Sequence, residues 1–221
     1  MSKITVLTSA TSNYPLPDDM PRGNAQFLAY AELGTKSEFW SVKPICNLFT
    51  EPRRNAKIHK VLCHLYADTE WIIWIDSNVT LNITPEELIT EWANNKDMVV
   101  NKHMSRNCLY EEADECSRSS LDYKSIIKEQ VKRYEALNIP KKMGLGECGI
   151  ILRRNCPEIN RLNEKWWAEI CRGSSRDQIS FPYVFRDVYT TVPIDCRCHK
   201  YFNYKQSTAP GRIYDNNICD T

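Results

Sequence analysis

Asp76, Ser77 and Asn78 follow directly on the apolar run Trp71-Ile72-Ile73-Trp74-Ile75. A carboxylate at the end of so apolar a strand sits on a rigid scaffold, where it can bind a divalent cation or a sugar hydroxyl. Side-chain direction repeats every second residue in an extended chain, so Asn78 can present its carbonyl oxygen on the same side. A plain Asp-Ser-Asn turn also accounts for these three types. Arg53, Lys57, Lys60 and His64 recur at i, i+4, i+7 and i+11. Such a cationic stripe can contact a diphosphate, and a solvated helix face is its plain alternative. Lys102, His103 and Arg106, followed by Glu111 and Glu112, form a second polar cluster in a loop after a short strand. In a third, Arg172, Arg176, Asp177 and Gln178 lie near the pair Trp166-Trp167. Sugar faces stack on aromatic rings while amides and carboxylates hold their hydroxyls, so this mixture suits carbohydrate. Asp177 by itself fits capping, because the free N–H groups and dipole of a first helical turn favour a carboxylate.

The elements that must position these groups alternate in type. Lys3–Thr8 reads as a first strand opening into a loop, and Phe27–Tyr30 and Phe39–Val42 as further short strands. Thr50 as N-cap with Pro52 in the first turn opens a helix whose buried stripe is Ile58, Val61, Leu62 and Leu65. Trp71–Ile75, apolar without interruption, is a central strand covered on both faces. Thr84-Pro85-Glu86-Glu87 is a capping box opening a helix with Leu88, Ile89 and Trp92 inward. Met98–Val100 is a short strand and Ser120–Leu137 a long amphipathic helix. Gly149–Leu152 is a buried strand. Asn155–Glu158 caps a helix with Ile159, Leu162, Trp166 and Ile170 on one face, and a further helical piece starts near Arg176. The expectation is one α/β domain over residues 1–221, a mostly parallel sheet flanked by helices. Ligands of open sheets bind beyond the carboxyl ends of the strands, which singles out Asp76.

Composition narrows the classes. The 221 residues are 26% charged and 42% hydrophobic, with 29 Lys+Arg against 28 Asp+Glu. A formal charge of +1 argues against a protein that holds nucleic acid mainly by electrostatics. The longest apolar run is far short of the roughly 20 residues a membrane helix needs. The opening Met-Ser-Lys-Ile-Thr-Val-Leu-Thr lacks the apolar stretch of a signal peptide, so a soluble, cytoplasmic protein is expected. In a reducing compartment its ten cysteines are mostly small buried apolar residues. A zinc reading of Cys196, Cys198 and His199 lacks the paired knuckles of structural sites.

Several segments, in order, resemble one family. They are Pro52-Arg53-Arg54-Asn55…Lys60 with His64, Ile73–Asn78, Lys102-His103…Arg106…Tyr110-Glu111-Glu112, and Trp166-Trp167…Glu169…Arg172…Ser175-Arg176-Asp177-Gln178-Ile179-Ser180-Phe181. The chain is similar here to a glycosyltransferase-like family first catalogued as a domain of unknown function. That family includes plant enzymes linked to mucilage pectin and cell-wall synthesis. The likeness runs from about residue 50 to 185, and the Arg-Asp-Gln-x-Ser-Phe block with the Trp pair is its most specific part.

The resemblance implies a GT-A (Rossmann-like) fold, a uridine- or guanosine-linked nucleotide-sugar donor and transfer of a hexosyl or pentosyl group. In such folds a D-x-D motif usually holds Mn²⁺ or Mg²⁺ against the donor diphosphate. Asp76 would be its first carboxylate, and Asn78, a departure, supplies a neutral oxygen in the second place. His199 would be a third ligand by analogy with glycogenin-like enzymes. Asp76, Asp177 and Glu147 are the expected catalytic residues. Donor contacts fall to Thr8, Arg53, Lys57 and Lys60, to Lys102, His103 and Arg106, and to Arg176 and Gln178. Glu111, Trp166, Trp167 and Arg172 are expected at acceptor or sugar. The acceptor is a small molecule, a glycan, a protein or a modified nucleobase. Two other readings stand beside this one. A carbohydrate- or nucleotide-binding module that has lost catalysis would explain Asn78. A haloacid-dehalogenase-type phosphatase superficially fits Asp76–Thr80, although Asn at the second acidic place would remove its general acid/base.

Overall fold

The computed structural model describes residues 3–11, 15–193 and 200–204. A seven-stranded sheet has the order β3-β2-β1-β4-β7-β6-β8. Its strands are β1 (Ile4–Ala10), β2 (Gln26–Ala31), β3 (Ser41–Pro44), β4 (Trp71–Ile75), β6 (Met98–Lys102), β7 (Gly146–Arg154) and β8 (Tyr189–Val192). β7 runs antiparallel to β4 and β6, and the other pairings are parallel. A separate ribbon pairs β5 (Val79–Leu81) with β9 (Phe202–Tyr204). The helices are α1 (Pro52–Val61), α2 (Pro85–Trp92), α3 (Leu109–Arg118), α4 (Lys124–Ala136), α5 (Pro157–Arg172) and α6 (Asp177–Phe185).

β4 is central and buried along its whole length, as its continuous apolarity requires. Ile73 and Ile75 face a core with Leu88 and Trp92 of α2 and with Phe202. Ile72 and Trp74 face another with Val61, Ile159, Trp166, Phe181 and Phe185 of α1, α5 and α6. A third cluster joins α3, α4 and α6 through Leu109, Ala113, Ile127, Tyr134 and Ile179. The Thr84 capping box forms, its side chain accepting from the Glu87 N–H while the Glu87 carboxylate accepts from Thr84. No helix among the described residues is long and apolar enough to cross a membrane.

Several local expectations shift. Glu51, not Thr50, is the N-cap of α1, and the helix ends at Val61, where a 3₁₀ turn follows. That turn breaks the periodicity, so Leu65 leaves the buried stripe and is 64% exposed. The helix expected over Ser120–Leu137 is α4, which starts at Lys124, and a further helix, α3, precedes it with a left-handed Ser120 in the turn between them. The third strand starts at Ser41, past the expected Phe39. Cys63, Cys108, Cys116 and Cys148 are buried free thiols as expected, whereas Cys171 is exposed.

Two features of the sheet shape its carboxyl edge. From β1 the chain builds β2 and β3 to one side and places β4 on the other, so the strand order reverses between β1 and β4, where α/β sheets open a crevice. Val100 pairs with Ile151 but the next residue, Asn101, pairs with Glu147. β7 thus bulges beside the end of β4, and bulges re-aim side chains at such places.

Candidate functional site

Asp76 caps the carboxyl end of β4, where its N–H donates to the Gly149 carbonyl at 2.8 Å. Its Oδ1 accepts from Trp74 Nε1 at 2.7 Å and from Lys60 Nζ at 3.2 Å, and the side chain is 42% exposed. Lys60 reaches α1's other partner as well: its Nζ lies 2.6 Å from Asp177 Oδ2, while Lys57 Nζ lies 2.8 Å from Asp177 Oδ1. One turn separates the two lysines on α1, which puts both ammonium groups over the N-terminus of α6. The result is an alternating chain Asp76–Lys60–Asp177–Lys57. Burial alone would raise the Asp177 carboxyl, but the two ammonium groups outweigh it and hold it far below the ordinary carboxylate range. Burial likewise opposes the charge on both lysines. Lys60, facing two carboxylates, is nevertheless raised; Lys57 faces only Asp177 and has cationic Lys60 and Arg176 beside it, and is lowered.

The turn that delivers Asp177 is fixed by hydrogen bonds. Asp122 Oδ2 accepts from Ser174 Oγ at 2.7 Å and from the Ser175 N–H at 2.8 Å. Ser175 Oγ donates to Glu51 Oε1 at 2.8 Å, Gln130 Oε1 accepts from the Ser174 N–H, and Arg54 Nη2 donates to the Gly173 carbonyl. Four residues, from the start of α1, the α3–α4 turn and α4, therefore set one α5–α6 turn.

Across the crevice Glu147 Oε2 accepts from Asn101 Nδ2 at 3.0 Å. Burial raises the Glu147 carboxyl; the Asn101 bond opposes this, and the nearby charges of Asp76 and Glu112 add to it. Buried Glu112 accepts from Arg106 Nε at 2.7 Å and from the Cys116 thiol. His103 is buried with Nδ1 accepting from the N–H groups of Ser105 and Arg106, and burial, then the Arg106 charge, lower its pKa against the pull of the Glu112 carboxylate. The β5–β9 ribbon closes this side. A Cβ on Gly149 would stand 3.3 Å from Tyr204 Oη and 3.9 Å from Asp76 Oδ2.

The structure thus brings together Asp76, Lys57, Lys60, Asp177 and Arg176, with Glu147, His103 and Arg106 on the facing side. Thr8 lies buried at the end of β1, its Oγ1 without a hydrogen-bond partner among the described residues. Gln178 is half-buried beside Asp177 and Lys102 is exposed at the end of β6. Other expected residues are elsewhere. Arg53 is exposed and donates to the Leu121 carbonyl, and His64 sits beside Asn163 and Glu164. Glu111 accepts from the Asn107 N–H, and Arg172 is exposed at the end of α5. Trp166 corrects its expectation: it is 0% exposed, donates Nε1 to Ser180 Oγ and packs edge-on against Phe181 and Phe185. No sugar face can stack on it. Trp167 packs edge-on against Phe49. Cys196, Cys198 and His199 lie outside the described residues. Among the described residues no three His, Cys, Asp or Glu side chains converge as metal ligands.

A mostly parallel sheet flanked by helices, with its polar cluster at the carboxyl edge, is the GT-A fold of glycosyltransferases. Two solved structures share it. The WbbM bifunctional glycosyltransferase superposes with a TM-score of 0.54 at 13% identity, over 87% of this chain and 39% of that one. The galactosyltransferase LgtC, in complex with donor and acceptor sugar analogues, gives 0.50 at 11% identity, over 85% and 73%. The chain itself belongs to the TOD1/MUCI70 glycosyltransferase-like domain family, whose model matches residues 32–209. It is 28% identical over 161 residues to the probable hexosyltransferase MUCI70 of Arabidopsis thaliana, covering 67% of this chain and 28% of that protein. It is 25% identical over 150 residues to the alkaline ceramidase TOD1 of the same plant, covering 62% and 32%. The match thus spans about three tenths of the length of each of these two relatives. The family match reaches beyond residues 50–185 at both ends.

Tyr204, Asn101 and Asp122 are the site's additions to the sequence reading. Tyr204 and Asn101 depend on strand pairing, and Asp122 on a loop meeting a turn more than fifty residues away, so no local pattern marks them.

Proposed function

We propose that the chain moves a hexosyl group from a uridine- or guanosine-linked nucleotide sugar to an acceptor hydroxyl in the crevice beyond β1, β4 and β6. The observation that carries this reading is the placement of Asp76 at the strand-order reversal, coupled through Lys60 to Asp177 at the start of α6. Family membership and the likeness to a probable hexosyltransferase support it. As the bond from the anomeric carbon to the diphosphate oxygen breaks, charge grows on the leaving diphosphate, and Lys57, Lys60 and Arg176 stand where they stabilise it. The acceptor oxygen forms the new bond and its proton passes to Glu147. Asp177, with one oxygen on Lys57 and the other on Lys60, holds the lysines rather than taking the proton.

Asp76 and Asn78 are hard oxygen donors. They suit Mg²⁺ or Mn²⁺, which are commonly held by one or two carboxylates with substrate phosphates and water completing the shell. Such an ion would supply further charge neutralisation at the diphosphate.

A panel of nucleotide sugars, with and without Mn²⁺, tests the proposal through thermal shift and nucleotide release, with ceramide hydrolysis as a parallel arm. Shifts and slow donor hydrolysis with at least one uridine or guanosine sugar are expected. Binding without turnover would favour a non-catalytic module, and ceramide cleavage without any nucleotide effect would overturn the transferase reading.

A further inference from the structure

In an uninterrupted antiparallel ladder the residue after Val100 would face Ile150, but Asn101 faces Glu147 instead and the three residues between lie in the bulge of β7. Gly146 permits this close approach, because a Cβ there would overlap the Val100 side chain. The slip sets two polar side chains against each other at the carboxyl edge of the sheet, where Asn101 Nδ2 donates to Glu147 Oε2 at 3.0 Å. Asn101 is 2% exposed, and its Oδ1 is buried with no hydrogen-bond partner among the described residues. A buried amide with one end unmatched is destabilising. It nevertheless follows directly on the apolar, buried Met98, Val99 and Val100 of the same strand, and its amide N–H goes to Glu147. The charged groups that bear on Glu147 are Asp76 at the end of β4, Glu112 on α3 and Arg106 ahead of α3, with His103 3.8 Å from Glu112. Arg106 is itself held by Glu112 at 2.7 Å.

We propose that Asn101 is the positioning residue for Glu147: its amide N–H fixes one carboxylate oxygen and leaves the other for the acceptor hydroxyl. This rests on the reading of Glu147 as the group that takes the acceptor proton. A hydrogen bond to a carboxylate favours its ionised form, which is the form able to receive that proton. Losing the Asn101 amide therefore disturbs both the orientation of Glu147 and its proton affinity.

Two variants test it. Asn101→Leu has the same branched shape and removes the N–H without opening space, and Asn101→Asp keeps the shape while setting a like charge against Glu147. The measurements are release of nucleoside diphosphate from UDP and GDP sugars as a function of pH, and a carbon-13 carboxyl NMR titration of Glu147 assigned with Glu147→Gln. Both variants should lose about 10-fold or more in kcat with the donor KM unchanged. The midpoints of the rate profile and of the NMR titration should move to higher pH. A merely structural role predicts the opposite movement, because a loosened crevice admits water and burial is what raises the Glu147 carboxyl. If Asn101→Leu does not fold, Asn101→Asp decides alone. An NMR midpoint that stays put, or falls toward the ordinary glutamate range, would overturn the assignment whatever the rates. If the midpoint rises but Glu147→Gln releases nucleoside diphosphate as fast as wild type, the proton-acceptor reading fails, and the part of Asn101 in catalysis fails with it.

Discussion

Asp177 and Glu147 are both carboxylates at the carboxyl edge of one sheet, and their surroundings drive them in opposite directions. Asp177 is buried, at 4% exposed, yet two ammonium groups within 2.8 Å hold its pKa down. Glu147 has one amide N–H and two other carboxylates in its neighbourhood, and burial lifts its pKa. Environment, not residue type, divides the roles: a carboxylate locked to cations organises charge, and one whose pKa burial raises is better suited to exchange a proton.

The comparison can be broken most forcefully at Asp177. Asp177→Asn leaves buried Lys57 without its partner and Lys60 with Asp76 alone, and should cost about 3–5 kcal/mol, because breaking a buried ion pair strands a desolvated charge. Urea unfolding measures this, and Asp177→Asn combined with Lys57→Met should recover part of the loss. A change within experimental error in the single variant would mean that the lysines are not held there.

A different buried group sets the pH background against which both carboxylates must be read. His59 stacks on Tyr30 at 3.8 Å and accepts from the Cys46 N–H, and burial lowers its pKa to about 4. The folded state refuses the proton that the unfolded chain accepts near pH 6.5. Stability should therefore be complete above that pH and fall as pH drops toward 4, by on the order of 3 kcal/mol. His59→Gln, unfolded at several pH values, should flatten that slope.

Two smaller changes sharpen the assignment of Asp177 as an organiser. Asp122→Ala removes the acceptor of Ser174 and Ser175, and should cost about 1–3 kcal/mol while raising the donor KM through a loosened α6 start. Thr84→Ala deletes the α2 cap, distant from the crevice, at about 1 kcal/mol. It should leave turnover unchanged, which separates loss of stability from loss of the site.

How much of this was legible in the sequence varies by the range of the interaction responsible. Trp71–Ile75 and the Thr84–Glu87 box report their own structure, because continuous apolarity and reciprocal capping are local. Lys57, Lys60 and Asp177 were each marked by type and position. That they meet depends on α1 and α6 packing side by side, which no spacing encodes. Trp166 carried two signals, a place on the inner face of α5 and proximity to a polar cluster, and helical phase prevailed. Arg53 and His64 shared a nominal face with the lysines, but Arg53, in the first turn of α1, reaches out to the Leu121 carbonyl, and His64 lies past the helix end at Val61. Tyr204 was invisible because only the β5–β9 pairing brings it beside Asp76.

The division of labour is tested most directly by the pH dependence of nucleoside diphosphate release from a donor sugar in wild type and Glu147→Gln. The wild-type rate should rise with pH through an apparent pKa above the ordinary glutamate range, as the carboxylate loses its proton. Glu147→Gln should keep its fold, lose that dependence and be slower by about 100-fold or more, the usual contribution of a positioned base. An unchanged rate with the wild-type profile would contradict the account, because the proton would then be going elsewhere.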